Sequence, residues 1–229
     1  MDVLAAVIFD FDGLILDTEL PVFRAWSEAY QRLGVAPLTV EEWSVQLGTH
    51  GKLDPLAELA TRAAARHAPM DATALAVVAE RRLQRRDELL SVETLRPGVE
   101  AWIDSASRRG LAVAVASSSA RPWVEGHLAR LGVVDRFLAI ACWGDRDGVA
   151  PKPSPDLYVE VCALLGAAPA EAIAVEDSPN GVRAAKAAGL ACVAVPNELT
   201  RFLALDEADL VVSSLADVTL DEALRMLGR

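Results

Sequence analysis

Cysteine is scarce: Cys142, Cys162 and Cys192 are the only three in 229 residues, odd in number and widely spaced. They offer neither a disulfide framework nor the spacing of a zinc site, which points to a reducing interior. Cys142 and Cys192 lie in apolar strand-like runs and read as small core residues. Positive charge is also short. Against 33 Asp and Glu stand 22 Lys and Arg, a net charge of −11. That balance argues against nucleic-acid binding through bulk electrostatics. A site for an anionic substrate would then need local positive charge, from a metal ion or a placed Lys. No hydrophobic run approaches membrane-spanning length. The N-terminal apolar run is too short for a secretory signal, lacks a basic flank and ends in acids. The expectation is a soluble, cytoplasmic chain with no nucleic-acid or membrane partner, and a monomer, since nothing suggests an obligate partner. No internal repeat or low-complexity linker is present, and the length suits one large domain or one domain with an insertion.

What is present starts at residues 3 to 19. A continuous apolar run, Val3 to Phe9, ends at Asp10, Phe11, Asp12 and Gly13. A short run rich in β-branched residues and closed by Asp and Gly reads as a buried parallel strand. Alternation along a strand allows Asp10 and Asp12 to point the same way. Two carboxylates at an apolar strand end repel each other and are costly to desolvate, and a divalent cation would relieve that cost. Taken alone, the pair could equally be ordinary loop residues that end a strand.

Roughly a hundred residues pass before the next strand-like run, where a simple crossover needs a few tens. Helical periodicity fills the interval. Residues 19–33 place Val22, Trp26, Ala29 and Leu33 on one face before Gly34, Thr39 opens a helix with acids in its first turn, and two more helices span 53–67 and 71–90. The last carries Leu75, Val78, Leu83 and Leu90 along a stripe, with Arg81, Arg82, Arg85 and Arg86 expected on a solvated face. Trp26 and Trp43 read as core. Residues 16–90 are therefore expected to form an inserted helical cap domain, and residues 1–15 with 91–229 a core domain. In the core, strands are expected over 111–116, 137–142, 172–177, 191–195 and 210–212, alternating with helices. That alternation predicts an α/β fold with a parallel sheet and helices on both faces.

Three of these strands end in functional groups: Asp10 and Asp12, Ser117, and Glu176 with Asp177. Open parallel sheets bind ligands at such ends. Lys152, between two prolines in the loop 143–155, could reach the same edge. The set suits a hard cation held by oxygen ligands, and a phosphate held by the cation, the hydroxyl and the Lys. Each piece alone has a plainer use. Ser117 to Ser119 could cap a helix, as could Glu176-Asp177-Ser178, and a lone Lys in a loop is usually surface. Caps alone do not explain their joint occurrence, in this order, at strand ends.

Four stretches then resemble the four motifs of the haloacid dehalogenase superfamily, in the detail of its β-phosphoglucomutase-like phosphatase branch. They are Asp10-Phe-Asp-Gly-Leu with Asp17-Thr-Glu19; Ala116-Ser-Ser-Ser119; Lys152-Pro-Ser-Pro-Asp156; and Val175-Glu-Asp-Ser178 with Asn180-Gly-Val. The resemblance covers the whole chain and implies a Rossmann-like core with a helical cap. By position it implies Asp10 as the nucleophile that forms an aspartyl-phosphate. Asp12 would be the general acid and then base, with its main-chain carbonyl on the metal. Ser117, Ser118 and Lys152 would hold phosphoryl oxygens, and Asp10, Asp12, Glu176 and Asp177 would make the Mg²⁺ site. The partner implied is a small phosphorylated metabolite.

Three other readings compete. Sugar-phosphate mutases of the branch resemble one another in carrying a His before a Phe-Arg-Ala-Trp-like stretch and an Arg in the cap loop. Here those positions hold Val22 and Gly51, which disfavours a mutase. Dehalogenases of the superfamily lack the second Asp, so Asp12 argues against that reaction. A non-catalytic binding protein on the same fold would not need every catalytic group. Gln46, His50 and Lys52 are candidate contacts to a leaving group.

Overall fold

The structure, a computed structural model, describes residues 4–44 and 53–229. The chain divides into two compact units, Met1–Asp17 with Thr94–Arg229, and Thr18–Glu93. Leu16 is bridged to Asp12 and to Leu95, which keeps it with the first unit and sets the division slightly later than residues 15 and 90.

The first unit holds a six-stranded parallel sheet in the order β3-β2-β1-β4-β5-β6. Its strands are β1 (Ala6–Phe9), β2 (Ala112–Ser117), β3 (Ala139–Cys142), β4 (Ala172–Glu176), β5 (Ala191–Ala194) and β6 (Leu210–Val211). Alternation along the strands sorts the two faces by size, with Ile8 the large exception on the small-residue side. Val7, Phe9, Val113, Val115, Ile173, Val175 and Val193 pack with Trp102, Ile103, Val124, Leu128 and Leu224 on one side. Ala6, Ala114, Ala116, Ala172, Ala174, Cys192 and Ala194 pack with Leu157, Tyr158, Val161, Val182 and Ala185 on the other. The small-residue face admits close approach of α7 (Asp156–Leu165) and α8 (Pro179–Ala188), which carry Tyr158 and Gly181. The larger face is covered from α5 (Val99–Arg108), α6 (Arg121–Arg130) and α9 (Leu220–Met226). All three cysteines are buried and free. Among the described residues, no helix is long and apolar enough to cross a membrane.

The second unit is helical: α1 (Glu19–Arg32), α2 (Val40–Ser44), α3 (Pro55–Ala65) and α4 (Ala72–Val92). Local capping explains the starts of α2, α3 and α4. Thr39 and Glu42 form a reciprocal box at α2. Asp54 accepts from the N–H groups of Leu56 and Ala57 ahead of Pro55, and Asp71 accepts from that of Ala74. The expected stripe on α4 is corrected in part: Leu90 is buried, but Leu83 is exposed. The arginines are not simply a solvated face either. Arg82 stacks on Trp26 with 4.7 Å from guanidinium carbon to ring centroid, and Arg85 bridges Glu28 and Glu88. Long arginine stems cover apolar surface as well as carry charge, which periodicity of apolar residues alone does not register. Trp26 and Trp43 are buried.

Candidate active site

Parallel register sets the site. Phe9 pairs with Val115 of β2 and Val175 of β4, so Asp10 emerges beside the ends of both neighbours. Its N–H donates to the Val175 carbonyl at 2.9 Å. Lys152 reaches in from the loop after β3, and its Nζ donates to Asp10 Oδ1, to Glu176 Oε1 at 2.6 Å and to the Ala116 carbonyl at 2.7 Å. Three strand ends thus converge on one ammonium group. Its loop is tied down as well, since the Lys152 N–H donates to Ser118 Oγ at 3.0 Å. The Ser118 hydroxyl is therefore engaged with the main chain of the lysine.

Asp10, Lys152, Glu176 and Asp177 are all buried. Burial pushes the Asp10 carboxyl up to about 8; Lys152 opposes that rise, while Glu176 and Asp12 add to it. Burial alone would lower the Lys152 ammonium, but Asp10 and Glu176 outweigh it and hold the group above its ordinary range. Tyr158 donates its hydroxyl to Glu176 Oε1 at 2.6 Å, and burial, with Glu176 next, holds it protonated well above the usual phenol range. A Cβ at Gly181 would lie 1.8 Å from Glu176 Oε2, so α8 comes this close only because that position is glycine.

Asp12 faces a different set of donors. Ser119 Oγ donates to its Oδ2 at 2.6 Å, Trp123 Nε1 to its Oδ1 at 2.9 Å, and Ser117 Oγ lies at 3.4 Å. Ser117 Oγ also accepts from the Ser119 N–H. The Ser117–Ser119 run does not cap α6, whose N-cap is Ala120. Ser178 does cap α8, accepting from Gly181 N at 3.2 Å, which assigns the cap to the residue after the Glu176–Asp177 pair.

Asp177 is oriented by residues far away in sequence. Asn197 Nδ2 donates to its Oδ2 at 2.6 Å, and Asn197 is itself fixed by accepting from the N–H groups of Leu199 and Thr200. Arg96 donates to the carbonyls of Gly13, Val195 and Pro196, clamping the two loops that flank Asp177. Gly13, at φ +81°, is required twice over: its backbone is left-handed, and a Cβ there would stand 2.2 Å from Asp177 Oδ2.

Asp10, Glu176 and Asp177 each place an oxygen within 4.8 Å of the others. The rise at Asp10 shows that a third carboxylate charge beside one lysine is costly in this buried place, and a divalent cation with hard oxygen ligands would offset that cost and favour the ionised form. The Asp12 carboxylate is held by Ser119 and Trp123 and is not in that group, which leaves its main-chain carbonyl as the atom the resemblance implies for the metal.

The structure thus gathers Asp10, Lys152, Glu176 and Asp177 at one point, with Ser117 and Ser118 at its β2 side. Sequence reasoning missed Tyr158, Asn197, Trp123 and Arg96. Tyr158 sits on the helix opened by the third motif, which could have flagged it. Asn197 and Arg96 act through long-range contacts that leave no local pattern. Gln46, His50, Gly51 and Lys52 lie outside the described residues.

Comparisons with known proteins agree with this geometry. The family model described as haloacid dehalogenase-like hydrolase matches residues 4–189. YhcW of Bacillus subtilis (strain 168), named provisionally as a phosphatase, is 39% identical over 216 residues, covering 94% of this chain and 94% of that protein. Hexitol phosphatase B of Escherichia coli (strain K12) is 32% identical over 224 residues, covering 96% of each. Among solved structures, a CbbY variant from Rhodobacter sphaeroides in complex with xylulose-(1,5)bisphosphate superposes with a TM-score of 0.71 at 32% identity, covering 94% of this chain and 96% of that one.

Proposed function

The chain belongs to the haloacid dehalogenase-like hydrolases and is a phosphoric monoester hydrolase of that family; from that premise we propose that it hydrolyses a small sugar or sugar-alcohol phosphate through a phosphoryl group carried on Asp10. The observation that carries this reading is the buried Asp10 carboxylate at the β1 end, hydrogen-bonded to Lys152, with Asp12 two residues on. Asp10 attacks phosphorus and takes the phosphoryl group as a mixed anhydride. Asp12 gives a proton to the departing ester oxygen, then removes one from the water that attacks the aspartyl-phosphate and regenerates Asp10. Lys152 steadies Asp10 and Glu176 and stands where phosphoryl charge accumulates, and Ser117 offers a hydroxyl at the same edge. Asp10, the Asp12 main chain and Asp177, with Glu176 adjoining, would hold Mg²⁺, which supplies charge neutralisation at the phosphoryl oxygens.

The substrate class is supported by the hexitol phosphatase and by the sugar bisphosphate bound to CbbY. Transfer to water rather than back to sugar is supported by Val22, which stands where the resembling mutases carry a histidine. The deciding assay is p-nitrophenyl phosphate turnover with Mg²⁺ and with excess EDTA, followed by a panel of sugar phosphates in ¹⁸O-water. Label in inorganic phosphate is expected. Metal-independent turnover, or glucose 6-phosphate formed from β-glucose 1-phosphate, would overturn the reading.

A further inference from the structure

Asn197 is buried in the loop after β5, and each of its polar groups is engaged. Its N–H donates to Thr200 Oγ1 at 2.8 Å, and its carbonyl accepts from the Arg201 N–H at 3.0 Å. Its Oδ1 accepts from the Leu199 and Thr200 N–H groups, both at 2.9 Å. The side-chain amide is therefore oriented from within its own loop. Turned over, it would set its NH2 against two main-chain donors and its oxygen against a carboxylate. Only Nδ2 points out of the loop, and it donates to Asp177 Oδ2 at 2.6 Å, with the Gly13 carbonyl at 3.4 Å. Asp177 Oδ2 thus meets a fixed donor on one side and the Gly13 main chain on another, where even a Cβ would lie at 2.2 Å. The donor is also neutral. An ammonium or guanidinium in its place would neutralise the carboxylate and compete with a cation, whereas an amide fixes one oxygen and leaves the charge.

We infer that Asn197 is a positioning residue that makes the cation site select Mg²⁺ over Ca²⁺, by confining Asp177 to a single coordinating oxygen. The inference rests on the reading above in which Asp10, Glu176 and Asp177 hold the cation. Mg²⁺ demands near-octahedral geometry at about 2.0–2.1 Å and takes one or two carboxylates with water. Ca²⁺ takes about 6–8 oxygens at about 2.3–2.6 Å and accepts a carboxylate through both of its oxygens. Turning Asp177 so that both oxygens reach one ion draws Oδ2 away from Nδ2. Asn197, pinned at Oδ1, does not follow. A buried amide donor is then left without its acceptor, a penalty that falls on Ca²⁺ and not on Mg²⁺.

The probes are the metal ions alone. Melting temperature is followed against MgCl₂ and CaCl₂ at constant ionic strength without substrate, and the two dissociation constants are taken from the saturating rise. The wild type should favour Mg²⁺. Asn197→Ala should lower the ratio of Ca²⁺ to Mg²⁺ dissociation constants about five-fold or more, mainly by tightening Ca²⁺. Asn197→Asp keeps an acceptor for the Leu199 and Thr200 N–H groups but has no donor for Asp177. It should shift the ratio the same way, and it serves where the alanine variant fails to fold. Thr200→Val removes the hydroxyl that receives the Asn197 N–H and keeps the amide. It should melt lower yet leave the ratio at the wild-type value, which separates positioning of Asp177 from general loosening of the loop. An unchanged ratio in a folded Asn197 variant, or an equal shift in Thr200→Val, overturns the inference. A wild type that responds to neither ion overturns it together with the metal site. Turnover of p-nitrophenyl phosphate judges the phosphatase reading separately: its absence from a protein that shows the selectivity shift would defeat that reading and leave the role of Asn197 standing.

Discussion

Replacing Asp10 by Asn keeps the shape of the side chain and removes its nucleophilic oxygen pair. Turnover of p-nitrophenyl phosphate should fall by about 10⁴-fold or more, the scale of losing a covalent nucleophile, while circular dichroism and thermal melts show a folded protein. Residual Mg²⁺-dependent activity above a trace would remove Asp10 from the chemistry. Gly181 offers a test in which two effects have opposite signs. Helix propensity favours Ala over Gly by about 1 kcal/mol. The Cβ, however, would stand 1.8 Å from Glu176 Oε2 and 2.2 Å from Oε1, against a carboxylate already held by Lys152 and Tyr158. Overpacking of this kind costs about 1–3 kcal/mol, so Gly181→Ala should melt lower than wild type and lose at least about ten-fold in turnover as Glu176 is displaced from Lys152. A variant that melts higher would show that the carboxylate has room to move. Both arguments start from motif residues, but only the second needs the structure, because the sequence does not say that α8 passes so near the end of β4.

Most elements are legible in the sequence because each is short, apolar and bounded. The strand expected over 172–177 forms over Ala172–Glu176, and the helix expected from Asp156 to Leu165 has those ends. The first strand has its regular pairing with both neighbours from Ala6, Ala5 still donates to Glu171, and Val3, where the apolar run starts, lies outside the described residues. Less legible are features made by pairs of distant elements. Asn197 reaches Asp177, and Trp123 reaches Asp12, through contacts that no periodicity encodes. The β5–β6 link is another such pairing. Asp209 accepts from Lys186 Nζ at 2.6 Å and from the Cys192 N–H at 2.8 Å. Partial burial raises its carboxyl, but the Lys186 and Cys192 hydrogen bonds outweigh that and set it below its ordinary 3.8. A depressed folded-state pKa stabilises the fold above the unfolded value, and that stability is lost as pH falls below 3.8. Because the pair is about one-third exposed, Asp209→Asn should cost only roughly 0.5–1 kcal/mol at pH 7. The gap between wild type and variant in denaturant titrations should close as pH drops below 3.8. A gap that persists or widens in acid would assign the effect to packing instead of charge.

The whole chain carries a net charge of −11, so cations could stabilise it by general screening as well as at a site. The two causes separate cleanly. Screening depends on ionic strength, does not saturate at low concentration and is indifferent to any one carboxylate. A cation held by Asp10, Glu176 and Asp177 binds only where those oxygens converge, and so only in the folded state. At a Mg²⁺ concentration 100 times the dissociation constant, linkage gives about 2.7 kcal/mol. For a chain of this length that corresponds to a rise of roughly 5–10 °C in melting temperature. We expect this rise in 0.15 M NaCl, saturating with Mg²⁺, reversed by EDTA and smaller with Ca²⁺, which prefers more ligands at longer distances. Asp177→Asn should abolish it. That residue sits against Gly13 and Asn197 on the β4 side, so its amide would retain the Asn197 contact while withdrawing a charge from the cation. The measurement is independent of turnover. A matched rise produced by NaCl alone, or one that survives in Asp177→Asn, would assign the stabilisation to bulk charge and take the cation away from these three carboxylates.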